Sequence, residues 1–296
     1  MDIDLRRLRY FVTVARELSF VRAASLLHMT QPALSRQIGA LEHDLGTRLL
    51  DRDRRGTSLT PAGRQLLEDA VPLLAASVAL QRRTRLAGRD AAHFTIGFMP
   101  GVQATPIIRE FARLAPRLSI DVVHTTVTDQ LPYLLDGRVD VCFVRLPLPE
   151  ESLKVVPLFP EPRVVALPAT HPLADAPSVA LAKLHDLPLL QDRAEVPEWH
   201  GPVTDLAPPP GQDHRRPPTI EESLQRVALG LGVFVLPAGI AGFYRRDDVR
   251  CVPLEDVAPG MVALAQGRHR TMPELDRFAR LAISMLGPGG SGPAPE

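Results

Sequence analysis

The run Ser19 to Gly63, SFVRAASLLHMTQPALSRQIGALEHDLGTRLLDRDRRGTSLTPAG, orders two short helices, a tight turn and an arginine-rich hairpin along one stretch of chain. Ala23, Ala24, Leu26 and Leu27 give the first helix an apolar face. Thr30, Gln31 and Pro32 then supply a helix cap, a polar residue and a proline permitted in a first turn. In the second helix Leu34, Ile38, Leu41 and Leu45 recur at three or four residues, leaving Gln31, Ser35, Arg36 and Gln37 on or near the other side of its N-terminal end. Gly46 stops it. Arginine can fork onto guanine, glutamine onto adenine, and a helix N-terminus favours phosphate. Thr30, Gln31, Pro32, Ser35 and Arg36 are therefore candidate DNA-reading residues. Arg48, Arg52, Arg54 and Arg55 follow, with Gly56 as a turn and Ser58-Leu59-Thr60 as a returning strand. This reads as a basic wing, in which Arg52, Arg54 and Arg55 would meet phosphate or the minor groove.

Charge follows the same division. The 296 residues carry a formal net charge of zero, yet residues 1–89 hold fifteen arginines against nine acidic residues, a net of +6 balanced by −6 in the rest. The basic part suits phosphate and the acidic part does not. Asp2, Asp4, Arg6, Arg7 and Arg9 interrupt any apolar leader, and no stretch is long and apolar enough to span a bilayer, which points to a cytoplasmic protein without a membrane partner. Cys142 and Cys251 lie far apart in apolar, strand-like runs, as inert core thiols do.

From Thr60 to about Gly88 a long helical pattern places Leu67, Ala70 or Val71, Leu74 and Val78 on one stripe, with Pro72 inside it. That stripe can pack on its own head or on a second copy. Arg82, Arg83, Arg85 and Arg89 mark a solvated exit and hinge. Beyond it, HFTIGFM (93–99), IDVVHTT (120–126) and VDVCFV (139–144) read as strands, with helical stretches between them, which predicts a βαβαβ parallel sheet. A second unit begins near Arg163 with VVALP, and its helix ESLQRVALGLG runs into VFVLP. The chain returns to the first unit near Met261 to Gln266 and closes with a helix over 272–286. Proline-rich residues 196–218 read as an extended surface connection, and residues 287–296 as a disordered tail.

The head resembles the winged helix-turn-helix of LysR-type transcriptional regulators. The match runs through Leu8 to Ala15, Ala23 to Leu27, Thr30 to Arg52 and Leu59 to Gly63, with Leu50 where many members carry phenylalanine. Ile96-Gly97-Phe98, Gly137 to Val141, Arg145-Leu146-Pro147, Thr170 to Leu173, Leu229 to Gly232 and Leu236-Pro237 are similar to the family's sensor, so the resemblance covers almost the whole chain. It implies an α/β protein with a winged helix-turn-helix over 1–60, a linker and dimerisation helix with its hinge over 61–89, and a two-lobed periplasmic-binding-protein-like effector domain over 90–287. Lobe I would span about 90–163 and 266–287, lobe II about 164–265, and a tail 288–296. It further implies operator DNA, a small-molecule effector and RNA polymerase as partners. Self-association would give a dimer or tetramer, with Leu67, Leu74 and Val78 on an antiparallel seam.

Ligands in such sheets sit at the carboxyl ends of strands. Gly101, Val102 and Gln103 follow the first strand, Thr126 and Thr128 the second, and Arg145 ends the third; Ser223 starts a helix of the second lobe. An arginine at a buried strand end needs either a bound anion or an internal carboxylate. The residue types suit a small organic anion. His171 reads first as a structural histidine, and Glu221 and Glu222 as helix-capping residues. Neither a cofactor nor a metal is expected, and no P-loop, zinc spacing, G-x-S-x-G or dinucleotide fingerprint supports an enzyme. A ligand-independent DNA-binding protein is the remaining alternative.

Overall fold

The computed structural model describes residues 3–53, 56–87, 92–148, 152–203, 218–268 and 270–287. Arg54, Arg55, Arg89, the prolines between 204 and 217 and the tail 288–296 lie outside the described residues, as does the side chain of Arg52. The chain divides into two compact units, Met1–His93 with Leu131–Val139, and Phe94–Gln130 with Asp140–Glu296.

In the first unit, α1 (Leu5–Glu17) is capped by Asp4, whose carboxylate accepts the Arg6 and Arg7 N–H groups. Helix α2 (Phe20–Leu26) is capped by Ser19, and α3 (Gln31–Leu45) by Thr30, with Gly46 closing it in the left-handed conformation. Strands β1 (Leu50–Asp53) and β2 (Gly56–Leu59) pair antiparallel as the hairpin. Phe11, Val14, Ala23, Leu34, Ile38 and Leu49 form a closed core between the helices. Helix α4 (Pro61–Ala87) starts on Thr60, whose Oγ1 accepts the Gly63 N–H at 2.9 Å.

Leu67 and Leu74 of α4 pack half-buried against that same core, so the stripe expected to form the seam serves its own head over these two residues. Among the described residues, the large apolar side chains that α4 leaves exposed are Leu73, Val78 and Leu80. Ala79 is buried beside Gly137, because residues 131–139, which start within α6 (Gln130–Leu135), lie along this part of the helix.

The second unit holds two sheets. One runs β4 (Leu118–His124), β3 (Ala92–Phe98), β5 (Val141–Leu146), β10 (Gly260–Gly267), β6 (Leu153–Glu161); the other β8 (Phe234–Pro237), β7 (Arg163–Pro168), β9 (Val249–Pro253). Strands β3 and β5 are parallel, as the βαβαβ pattern predicts, while the returning strand β10 runs antiparallel to both β5 and β6 and makes the first sheet mixed. Strand β10 covers the Met261 to Gln266 return that the sequence predicts, so the first lobe resumes near 260 and not at 266. β6 pairs with β10 along its whole length, from Gly260 to Gly267, and β5 pairs with it from Met261 to Ala265.

Helices α5 (Thr105–Leu114) and α9 (Pro273–Leu286) cover the first sheet, with Phe94, Phe111, Phe143 and Phe278 tilted or edge-on at 5.0–6.0 Å between ring centroids. Helices α7 (Ile220–Ala228) and α8 (Ala238–Phe243) pack on the second sheet through Leu224, Val227 and Ile240. The stretch expected to begin an extended surface connection instead inserts Val196 and Trp199 into this lobe's core, and the indole N–H donates to the Pro202 carbonyl at 3.0 Å. Among the described residues no helix is long and apolar enough to cross a membrane.

Candidate functional site

The buried stripe of α3 fixes which residues it presents outward. Leu34 and Ile38 are wholly buried and Leu41 nearly so, while Thr30, Gln31, Pro32 and Arg36 are exposed and Ser35 is half-buried. A row of hydroxyl, amide and guanidinium groups thus stands on one helix end, together with the N–H groups of its first turn. Arg48 is exposed at the foot of the hairpin. Glu42, which sequence reasoning passed over, turns back from α3: its Oε1 accepts the N–H groups of Leu49 at 2.8 Å and Leu50 at 3.2 Å.

In the second unit Arg145, at the end of β5, reaches the loop after β3, and Thr125, just past β4, is bonded to the end of β3, but the chemistry around Arg145 differs from a free cation. Arg145 is not an unmatched cation. Its Nε lies 2.6 Å from Glu161 Oε2, one terminal nitrogen donates to Glu161 Oε1 at 3.0 Å, and that nitrogen also reaches the Pro100 carbonyl at 3.3 Å. The two side chains are 13% and 7% exposed, and the fork-to-fork geometry answers the cost of burying the guanidinium. The internal ion pair is therefore the arrangement present, and Arg145's charge is taken up without a ligand. Glu161 Oε1 also accepts the Gly239 N–H at 3.2 Å, which ties the end of β6 to the start of α8.

Gly101 lies against that junction with φ +85, and a Cβ there would overlap the backbone of Gly239 and Ile240. Gly239 faces it in turn, with Glu161 Oε1 and the Gly101 carbonyl oxygen each 2.5 Å from an added Cβ. Only two glycines let these loops approach so closely. Val102 is half-buried and Gln103 exposed beside them.

Thr126 and Thr128 are exposed and hydrogen-bonded to each other at 2.9 Å, and Thr126 Oγ1 donates to Asp129 at 2.7 Å. Those hydroxyls close the loop on itself. The neighbouring Thr125 is fully buried, bonded to the Phe98 carbonyl, and it holds β4 against β3. Ser223 is buried in α7, 1% exposed. At the N-terminus of α7, Thr219 and Glu222 form a reciprocal capping box. Glu221 beside them has its carboxyl held below the usual range by a backbone hydrogen bond, by bonds from Tyr244 and Thr219, and by the charge of His124 at the end of β4. His171 uses Nδ1 to accept the Leu173 N–H, a structural role. Cys142 is buried, and desolvation pushes its thiol up to about 11, whereas Cys251 is exposed although a core position was expected for it.

Glu161, Gly239, His124 and Tyr244 were missed by sequence reasoning. The need for a carboxylate opposite Arg145 was the available signal for Glu161, but nothing local says which of the acidic residues supplies it.

A capped reading helix with a hairpin wing, joined by a long helix to an α/β domain of two sheets, defines a ligand-responsive transcription regulator. The chain belongs to the LysR family: residues 5–64 match the bacterial regulatory helix-turn-helix protein of that family, and residues 87–286 match the LysR substrate binding domain. It is 34% identical over 294 residues to the uncharacterised HTH-type transcriptional regulator YnfL of Escherichia coli K12, covering 94% of this chain and 97% of that one. It is 32% identical over 295 residues to the Hca operon transcriptional activator HcaR of the same organism, covering 96% and 98%. Among solved structures, full-length BenM superposes with a TM-score of 0.50 at 28% identity over 96% of each chain. The LysR family regulator CbnR gives 0.59 at 23% over 96% and 99%, a likeness of fold. The chain is a DNA-binding transcription regulator with an effector-binding domain, not an enzyme.

Proposed function

We propose that the chain regulates transcription in the cytoplasm as a homo-oligomer, reading a partly palindromic operator with Gln31, Ser35 and Arg36 while Thr30 and Pro32 set the helix start against phosphate. The observation that carries this reading is the division of α3 into a buried leucine and isoleucine stripe and an exposed Gln31 and Arg36. Arg52, Arg54 and Arg55 would contact phosphate or the minor groove from the wing. The working division is a head over 1–60, a linker helix over 61–89 and an effector domain over 90–287, and RNA polymerase is the proposed protein partner at the promoter.

The effector is a small organic anion held near Gly101, Val102, Gln103, Thr126, Thr128 and Ser223. Arg145, engaged by Glu161, orders the loop after β3 from beneath and reaches the ligand only through that loop. A second copy would pack along α4 at Leu73, Val78 and Leu80, the large apolar side chains exposed there among the described residues. Thermal-shift screening of small carboxylates followed by gel shift on operator DNA tests the whole reading. The expected hit raises the melting temperature and changes operator affinity or footprint length. A protein that binds DNA specifically, yet responds to no small molecule in either assay, returns the reading to ligand-independent binding.

A further inference from the structure

The peptide groups of one residue, Leu49, join three parts of the head. Its N–H donates to Glu42 Oε1 on α3 at 2.8 Å, and its carbonyl accepts the Thr60 N–H at 3.0 Å, where the linker helix begins. Thr60 Oγ1 donates to the neighbouring Arg48 carbonyl at 2.9 Å while accepting the Gly63 N–H. Gly63 lies so close to the Leu49 carbonyl that a Cβ would overlap it. Leu49 is 1% exposed and Thr60 8%, so these bonds do not compete with water.

Glu42 is placed where helix electrostatics disfavour it. It stands in the closing part of α3, near the negative end of the helix dipole, where a carboxylate gains nothing from its own helix. Its stabilisation comes from outside, through charge-assisted bonds to the backbone N–H groups of Leu49 and Leu50, where the chain enters the wing's first strand. The reading residues stand at the other end of the same helix.

We propose that Glu42 is a positioning residue for DNA binding: it sets the wing against the reading helix and, through Leu49, makes both follow the first turn of α4. This rests on α3 reading bases and the wing meeting the backbone. A reorientation of the linker helix then moves two DNA contacts as one body, which is what a shift in operator spacing requires.

The test uses the full-length chain and a DNA site selected by the wild-type protein from a random-sequence pool. Glu42→Ala should lower affinity about tenfold, with hydroxyl-radical protection lost at the wing-contacted flanks and base discrimination by α3 retained. Glu42→Gln keeps an acceptor oxygen and should restore the flanking protection. Glu42→Asp keeps the charge but falls short of both N–H groups, so it should resemble alanine, and it carries the test if the alanine variant does not fold. Unchanged flanks in Glu42→Asp, or flanks and base discrimination lost together in step with melting temperature, overturn the proposal. A glutamine variant as defective as alanine also overturns it. Arg36→Ala, run alongside, separates the two claims: if it leaves base discrimination intact, the base-reading assignment fails while the Glu42 result still reports on the wing.

Discussion

Arg145 Nε stands 2.6 Å from Glu161 Oε2, and the same carboxylate takes the Gly239 N–H through its other oxygen. Removing one partner of such a buried pair leaves the other charged and unanswered, at a cost of about 3–5 kcal/mol. Glu161→Ala is therefore expected to be strongly destabilised in urea unfolding, and the pair Arg145→Met with Glu161→Leu to recover most of the loss. If Glu161→Ala unfolds at the wild-type midpoint, the pair does not hold these loops.

The glycine contact predicts a contrast within one short helix. Gly239→Ala forces a methyl against Glu161 and Gly101, and overpacking of this kind costs about 1–3 kcal/mol. Gly242→Ala in the same helix meets nothing within 4 Å and should be neutral or stabilising by up to about 1 kcal/mol. Calorimetric melting of both variants checks the difference in sign.

For base reading, Arg36→Ala is expected to lose about 1–3 kcal/mol of discrimination at one operator position. Competition gel shifts with single-base-pair variants of the site measure this. Equal losses against every competitor would make Arg36 a phosphate contact.

Two classes of α4 substitution should behave differently. Leu73→Glu and Leu80→Glu place a charge on the exposed apolar face and should give smaller assemblies with weak operator binding, at near wild-type stability. Leu74→Glu puts the charge against the head's own core and should lower the melting temperature first. Sedimentation velocity with parallel melting curves distinguishes them, and wild-type assembly in both exposed-face variants would move the seam elsewhere.

Acid should act on the start of α7. The Glu221 carboxyl is held below its ordinary value in the folded chain, so the stability it contributes is present above the unfolded carboxyl value and is lost as pH falls through the folded one. Tyr244→Phe removes one of the bonds that lower it. The variant's acid unfolding should show a smaller dependence on pH below that of ordinary carboxylates, and an identical acid limb would discount the Tyr244 contact.

The head was legible because its signals are local. Thr30, Pro32 and Gly46 mark the ends of α3 within one stretch of chain, and Leu34, Ile38 and Leu41 repeat at the helical period. In the second unit, distance along the chain hides the chemistry. Arg145 was recognisable as a charge in need of an answer, yet Glu161 reaches it only because β10, inserted from far later in the chain, sets β5 and β6 on its two sides. Periodicity has a similar limit on α4. It identified an apolar stripe through Leu67 and Leu74, but a stripe does not name its partner, and here the nearer core took both. Trp199 sits among prolines whose composition suggested surface, and its indole is enclosed because burying so large an apolar ring outweighs the local preference for extended chain.

The two thiols have a practical consequence for studying this regulator. Cys142 is sealed inside the first sheet as a neutral thiol, while Cys251 lies exposed on β9, paired to Ala166 of the second sheet. At neutral pH a maleimide dye should therefore attach to Cys251 in preference to Cys142, on the second sheet, although partial desolvation raises the Cys251 thiol as well and slows the reaction relative to a free thiol. Adding one cysteine on the first sheet would complete a dye pair, so single-molecule fluorescence could follow the separation of the two sheets as candidate effectors are added.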